Sequence, residues 1–164
     1  MTDSLLIAHD FPPITSGIAT VFYQTWRYLP PDRTQIVAPI LPGSEAFDEG
    51  YPIPITRLWF PLGETGSAKI AKTLLTTAWL INKALPNPPK KLHCGQVFSS
   101  GLAGLLCKQW FQIPYVVWVY GSETARLARS GYTTDLMHTI LDESQWVVTN
   151  SNMTSDEFRT FGVP

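Results

Sequence analysis

The sequence predicts an α/β domain in which helices cover a mostly parallel sheet. Short apolar runs with strand character alternate along the whole chain with segments of helical periodicity. One of these runs, residues 115–120 (YVVWVY), is apolar without alternation, as expected of a central strand that is covered on both faces. Because the elements alternate over 164 residues, 45% of them hydrophobic, we expect a single domain with a sizeable core.

The N-terminal stretch predicts a strand, a loop and a helix. An apolar run at residues 5–8 is followed by His9, Asp10 and two prolines, and Ser16 and Gly17 then open a segment of helical spacing. A helix begins with unpaired backbone N–H groups and a partial positive charge, so it can receive a phosphate or a carboxylate. A glycine there lets a ligand approach the backbone. An alternative stays open, in which Gly17 makes only a turn and Ser16 only caps the helix.

The rest of the chain continues this alternation. Further strands are predicted at 34–38, 55–60, 91–98, 115–120 and 145–149, and helices at 66–85, 101–111, 123–129 and 133–142. The spacing of Thr154 and Glu157 is that of a capping box, which predicts a final helix to about residue 161. The stretch 39–54 is rich in Pro, Gly, Asp and Glu and has no periodicity, so it is predicted to be a loop.

The predicted helix at 66–85 carries an apolar stripe with lysines off it. The stripe consists of Ile70, Leu74, Leu75, Ala78, Ile81 and Leu85. We expect this stripe to cover one face of the sheet while the lysines stay in solvent. The other interpretation is an amphipathic helix on a lipid surface, which three lysines support weakly.

Composition and missing motifs exclude several classes of function. A net charge of −1 and a pI near 6.3 give no electrostatic footprint for nucleic acid. The sequence lacks the dinucleotide fingerprint, the P-loop, zinc-ligand spacings and the nucleophile elbow, so we expect no metal and no bound cofactor. Cys94 and Cys107 are interpreted as reduced thiols in a cytoplasmic protein. No stretch approaches the roughly 20 apolar residues of a membrane span, although a peripheral membrane contact stays open.

Ligands of parallel sheets bind beyond the carboxyl ends of the strands. We expect the first, fourth, fifth and last strands to lie near the sheet centre, so that the residues following them share one cleft. The candidate cleft residues are His9, Ser16, Gly17, Tyr120, Gly121, Glu123, Asn150 and Ser151. Neighbours on a strand point to opposite faces, so His9 and Asp10 are not expected to form a dyad.

Four segments, taken together and in order, resemble glycosyltransferase family 4. HDFPPITSGIAT is similar to the F-P-P-x-x-G-G-[IV] opening of that family, and IPYVVWVYGSE resembles its strand and turn ending in H-G-x-[DE]. ESQWVVTNSNMTSDEFRTFGVP resembles the stretch that closes the N-terminal domain, and LHCGQVFSSGLAGLL the strand and helix between. The resemblance spans nearly the whole chain.

This resemblance implies the GT-B architecture, in which two Rossmann-like domains face each other across a cleft. Residues 1–164 would form the N-terminal, acceptor-side domain, and the C-terminal nucleotide-sugar domain is not in this chain. The implied reaction moves a sugar from a nucleotide-sugar, used as co-substrate, to a glycan or lipid acceptor with retention at the anomeric carbon and without a metal. We expect the isolated domain to be inactive.

Carried over by position, the resemblance implies roles for individual residues. Gly17 matches the second glycine of the pair, near the donor diphosphate, and Ser16 stands in place of the first. Tyr120 stands where the family has histidine, the catalytic candidate, and a phenol is a poorer base than imidazole. Gly121 and Glu123 match the turn that follows. Asn150 and Ser151 match the end of the last strand, and together with His9 they are expected to line the acceptor side of the cleft.

Two other classes of function stay open from the sequence. The chain has only 15% charged residues and six tryptophans, so it can be a non-catalytic α/β module that binds a partner protein. The alternation of strands and helices also suits a flavodoxin-like domain that binds flavin.

Overall fold

A computed structural model, which describes residues 2–61, 63, 65–84, 86–121 and 131–163, shows helices on both faces of a six-stranded sheet. The strands are β1 (Ser4–Ile7), β2 (Thr34–Pro39), β3 (Ile55–Leu58), β4 (Lys91–Cys94), β5 (Tyr115–Val119) and β6 (Trp146–Thr149). The helices are α1 (Gly17–Trp26), α2 (Ser44–Glu49), α3 (Gly66–Ala84), α4 (Leu102–Phe111), α5 (Gly131–Asp142) and α6 (Asn152–Thr160). A π-helical turn, Val97–Gly101, leads into α4. The predicted three-layer, Rossmann-like fold class is confirmed.

All neighbouring strands pair in parallel, in the order β3-β2-β1-β4-β5-β6. The chain reverses its direction of growth between β1 and β4, and a ligand crevice opens at such a reversal. β1, β4 and β5 lie inside the sheet as expected, but β6 is an edge strand, so its predicted central position was wrong. This order also differs from that of flavodoxin-like domains.

Alternate residues of the inner strands lie on opposite faces of the sheet and are covered by different helices. Leu6 and Ile36 pack with Phe22 and Trp26 of α1, on what we call the α1 face. The opposite α3 face is covered by Leu80 of α3 and by Met137 and Ile140 of α5. Because side chains alternate along a strand, consecutive residues of β1 belong to different faces.

Helix α3 is turned the opposite way from its predicted orientation. Ile70 and Leu74 are 64% and 63% exposed, whereas Thr76 is 0% exposed and Lys72 is 8% exposed. The expectation that the apolar stripe covers the sheet and the lysines stay in solvent was therefore wrong for these residues. The reason is that the inner side of α3 faces polar groups at the end of the sheet, where hydroxyl groups find hydrogen-bond partners.

The stretch 39–54, predicted to be a loop, contains the short helix α2. A helix of six residues is too short to show a periodic pattern in sequence. It is held by contacts made elsewhere in the chain: Phe47 lies against Phe11 and Tyr51, and the Asp48 carboxylate forms a bidentate pair with Arg57.

The final helix begins earlier than the capping-box prediction placed it. Ser151 is the N-cap of α6, and its Oγ accepts a hydrogen bond of 3.2 Å from the Thr154 amide. Thr154 is therefore inside the first turn, and the assignment of Thr154 and Glu157 as a capping box was wrong. Ser151 takes the cap because it follows the end of β6 almost directly. Every helix within the described ranges falls short of the length and apolarity needed to span a bilayer.

Candidate functional site

His9 and Asp10 leave the end of β1 toward opposite faces of the sheet. The His9 ring lies on the α3 face, where its Nε2 is 3.2 Å from Thr76 Oγ1. The Asp10 carboxylate lies on the α1 face and accepts a 2.9 Å hydrogen bond from Ser16 Oγ. The two side chains do not form a dyad, and each belongs to a separate polar group at the crevice beside β1.

The first group, which we call the His9 cluster, consists of His9, Thr76, Gln96 and Ser99. Ser99 Oγ is 2.9 Å from His9 Nδ1, and Gln96 Oε1 is 3.2 Å from the same nitrogen. The His9 backbone amide also donates to Gln96 Oε1, at 3.3 Å, and the imidazole and the Phe60 ring are nearly perpendicular, with their centroids 4.5 Å apart. Both ring nitrogens are thus engaged, and the half-buried imidazole is fixed in orientation.

The π-helical turn and the residue before it contribute two members of this cluster, Ser99 and Gln96. It begins directly after Gln96, and Ser100 Oγ accepts a 3.0 Å hydrogen bond from the Gln96 amide while donating to the Gln96 carbonyl. Ser99 lies within the turn, and its carbonyl accepts a hydrogen bond from Thr73 of α3. π-Helical turns are rare and are often found at functional sites, because they re-aim side chains out of a regular helix.

The second group surrounds the start of α1. Ser16 is the N-cap, and its Oγ accepts a 3.0 Å hydrogen bond from the Ala19 amide. The amides of Gly17 and Ile18 precede this bond and have no intrahelical acceptor. A side chain at Gly17 would meet no protein atom within 4 Å, so the position is open on the outside. The exposed start of α1 can therefore be approached closely by an anion, although the Asp10 carboxylate already lies beside it.

Arg57 holds the loop between these two groups in place. Its Nη2 donates to the Pro12 carbonyl at 2.8 Å, and its Nη1 donates to the Pro39 carbonyl at 3.0 Å. The bidentate pair with Asp48 adds bonds of 3.0 and 2.6 Å. One mostly buried guanidinium thus joins the loop after β1 to β2 and α2, which fixes the approach to α1.

Tyr120 is buried, 6% exposed, directly after β5. Its ring is nearly perpendicular to that of Phe22 on the α1 face, with the centroids 6.2 Å apart, and its hydroxyl oxygen is shielded from solvent. The structure therefore places the Tyr120 side chain in an aromatic cluster. A catalytic role for it stays a prediction.

The remaining predicted residues lie at the ends of β5 and β6. Asn150 and Ser151 are exposed, and both contact Thr154: its Oγ1 donates to Asn150 Oδ1 at 3.0 Å and is 3.0 Å from Ser151 Oγ. A Cβ added at Gly121 would lie 3.7 Å from the same Thr154 oxygen, so the turn after β5 borders this pair. Glu123 lies outside the described residues.

All these residues share the carboxyl edge of the sheet because every strand runs in the same direction. β4 separates β1 from β5, so the ends of β1 and β5 are about 10 Å apart. Sequence reasoning missed Thr76 and Arg57; Gln96 and Ser99 lie in the stretch 94–101, which follows a predicted strand, but neither was singled out. Thr73, Thr76 and Thr77 have the spacing of one helix face, a polar signal that the stronger apolar stripe of α3 concealed. Within the described part of the chain, no three His, Cys, Asp or Glu side chains could together hold a metal ion.

Comparisons with known proteins find a shared fold. No protein-family model matches the chain, and no curated protein matches it. The solved structure of Anabaena Alr3699/HepE in complex with UDP and glucose is similar, with a TM-score of 0.72 at 12% sequence identity. The match covers 100% of this chain and 42% of that one, so the chain spans less than half of that protein's length.

Proposed function

We propose that this chain is the N-terminal, acceptor-side domain of a GT-B glycosyltransferase that resembles family 4. The complete enzyme would move a sugar from a nucleotide-sugar to a glycan or lipid acceptor with retention at the anomeric carbon. The observation that carries the proposal is the His9 cluster, a built polar site in the crevice beside the open start of α1. The similar fold of a protein that binds UDP and glucose supports it.

The start of α1 would receive the donor diphosphate. The amides of Gly17 and Ile18 are the groups available there, and the absent side chain at Gly17 leaves space for phosphate oxygens. Ser16 would act by fixing the first turn, because its hydroxyl is already used by Ala19 and Asp10. The Asp10 carboxylate would repel the diphosphate, so the donor needs further cationic groups, which the resemblance places in the C-terminal domain.

The His9 cluster would bind the acceptor. Sugar hydroxyls both donate and accept, and the His9 imidazole and the Gln96 amide are the partly exposed groups of the cluster. The Thr76 and Ser99 hydroxyls are buried and would hold the imidazole in place. Gly121, Asn150 and Ser151 would form the opposite border of the acceptor side. His9 would make the direct polar contact with the acceptor, while Tyr120 would support the α1 face from within.

The test is a titration of the 15N-labelled chain with UDP-glucose and, separately, GDP-mannose, followed by amide chemical shifts. We expect the shifts of Gly17 and Ile18 to move most, with weak, millimolar affinity because most of the donor site is in the other domain. Gly17→Ala should lower the affinity at least about tenfold without lowering the melting temperature, since the new methyl meets no protein atom.

Gly66→Ala is the matched control. Gly66 also begins a helix, and a Cβ there also meets nothing within 4 Å, so this variant should bind as the parent does. Shifts confined to residues away from the carboxyl edge, or equal affinities for the two alanine variants, would refute the donor site at α1. The interaction-module alternative is not favoured, because the fold similarity is to a protein that binds a nucleotide and a sugar.

A further inference from the structure

In the described ranges three tryptophans are more than half exposed, and they differ in what they contact. Trp59, Trp110 and Trp146 are 68%, 57% and 63% exposed. The Trp110 ring is nearly perpendicular to that of Phe111, with the centroids 6.5 Å apart, and Lys91 Nζ lies 4.5 Å from the centroid of the Trp146 ring. Across the part of the chain that the structure describes, the Trp59 indole makes neither a hydrogen bond nor a ring contact. Its ring is therefore available to another molecule.

Trp59 lies at the carboxyl edge of the sheet, where the crevice is. It directly follows β3, whereas Trp146 begins β6 and Trp110 comes near the end of α4, which leads back to the amino ends of the strands. Ligands of parallel sheets bind at the carboxyl edge. The tryptophan without a ring contact is thus the one at the ligand-binding end of the sheet.

Ile40 extends the exposed apolar surface of Trp59. The Ile40 amide donates to the Leu58 carbonyl at 2.8 Å, so the parallel register of β2 and β3 continues by one residue past the two strands. This register places Ile40, which is 57% exposed, beside Trp59, with about 4.8 Å between the two backbones. We call these two residues the Trp59 patch. The patch is as wide as one sugar ring and much shorter than an acyl chain.

The neighbours of Trp59 in sequence fix the backbone beneath the patch. Leu58 packs against the core of the α3 face, and Phe60 is 6% exposed, with its ring centroid 4.5 Å from that of His9. A tryptophan has only two side-chain dihedral angles, so one that is held between two packed neighbours has little freedom to lose on binding. The Trp59 patch is therefore a preformed surface, separated from the His9 cluster by Phe60 alone.

We propose that the acceptor is an oligosaccharide, and that the Trp59 patch binds one of its rings while His9 contacts a hydroxyl group of another. This inference rests on the proposed function, because it takes His9 as the acceptor contact. The C–H groups on one face of a pyranose ring carry partial positive charge, and they pack on the negative face of an indole.

The distance between the two contacts sets the size of the acceptor. β2 lies between β1 and β3, so the ends of β1 and β3 are about 10 Å apart. One sugar ring is shorter than this distance. An acceptor that contacts both His9 and Trp59 therefore has at least two rings.

A lipid acceptor fits these contacts less well. An acyl chain binds in a long apolar groove, whereas the Trp59 patch consists of two residues, and the nearby His9 and Gln96 side chains are partly exposed and polar. An acyl chain laid across those polar groups would bury them without offering a hydrogen bond. A sugar suits both surfaces, because its ring has apolar faces and a rim of hydroxyl groups.

The experiment follows the six tryptophan indole resonances of the 15N-labelled 164-residue chain during titration with cellohexaose, mannohexaose and chitohexaose, and with glucose as the single-ring comparison. We expect at least one hexasaccharide to bind about tenfold more tightly than glucose, and to shift the Trp59 signal but not those of Trp110 and Trp146. Trp59→Ala should lower that affinity about tenfold, and Trp59→Phe much less, because phenylalanine keeps an aromatic face.

The matched control is Trp110→Ala, which removes a tryptophan of similar exposure toward the other end of the sheet. It should bind as the parent does, and both alanine variants should keep the parental melting temperature, because the replaced side chains are mostly in solvent. The proposal is overturned if no hexasaccharide moves the Trp59 signal, if the two alanine variants weaken binding equally, or if dodecyl phosphate moves that signal and the sugars do not.

The donor titration separates this proposal from the proposed function. If UDP-glucose shifts Gly17 and Ile18 while no hexasaccharide shifts Trp59, sugar transfer stands and the oligosaccharide acceptor is wrong. If a hexasaccharide shifts Trp59 but neither UDP-glucose nor GDP-mannose shifts Gly17, the Trp59 patch stands as a carbohydrate site and the donor site at α1 is wrong.

Discussion

Helices α1 and α3 cover opposite faces of one sheet, and they differ in which of their sides, the apolar or the polar one, is buried against it. α1 buries Phe22 and Trp26, at 0% and 1% exposure, and meets the aromatic core as an ordinary amphipathic helix does. α3 buries Thr76 and leaves Leu74 63% exposed. The same sheet thus receives one helix by its apolar side and the other largely by its polar side.

The difference shows that the orientation of a helix depends on what it covers. α1 packs its apolar side chains on the middle of the sheet, while α3 also forms one wall of the crevice at the sheet's end. Buried hydroxyls are stable there because His9 and the Ser99 carbonyl bind them. An exposed apolar stripe is the consequence on the other side of α3.

The largest expected effect is on the free energy of unfolding, which should depend much more on the apolar side chains of α1 than on those of the exposed side of α3. Phe22→Ala should lower the free energy of unfolding by about 3–5 kcal/mol, because a fully buried ring leaves a cavity. Leu74→Ala should change it by less than about 0.5 kcal/mol, because that side chain is mostly in solvent. Urea unfolding measures both, and comparable losses for the two variants would show that the orientation of α3 is wrong.

The next effect concerns His93, the half-buried histidine on the α1 face. Burial lowers its pKa from 6.5 to about 4, with Lys91 adding to the shift, and its Nδ1 accepts from Trp118 Nε1 at 3.4 Å. The unfolded chain takes up a proton below pH 6.5 and the folded one only near pH 4. The contribution of neutral His93 to the free energy of unfolding is therefore fully present above pH 6.5 and is lost as the pH falls. At pH 5 the free energy of unfolding should be lower by about 2 kcal/mol.

The measurement is urea unfolding of the parent and His93→Gln between pH 7 and pH 4. Glutamine keeps an acceptor for Trp118 but does not titrate, so its stability should fall less steeply over this range. If the free energy of unfolding falls equally with pH in the two proteins, His93 is protonated as readily in the folded state as in the unfolded one, and water reaches it on the α1 face.

The smallest effect compares neighbouring threonines on the inner side of α3. Thr76→Val removes the hydroxyl beside His9 Nε2 and should cost about 1 kcal/mol. Thr77→Val is the matched control: within the described part of the chain the buried Thr77 hydroxyl has no hydrogen-bond partner, so valine should be neutral or stabilising by up to about 1 kcal/mol. Thermal unfolding measures the stability of both variants, and Thr76→Val should be the less stable. Equal changes in stability would show that the His9 cluster does not hold α3.

The sequence by itself determined the alternation of strands and helices, the parallel sheet, and the start of α1 at Gly17 after the Ser16 cap. These features depend on local patterns: apolar runs, proline breaks and a hydroxyl before a helix. Only the tertiary structure decided which side of α3 is inside, where α2 forms, and that His9 meets Thr76, Gln96 and Ser99. Those outcomes join residues up to 90 positions apart. A hydrophobic pattern reports how apolar each side of an element is, but the chemistry of the opposing surface decides which side is buried.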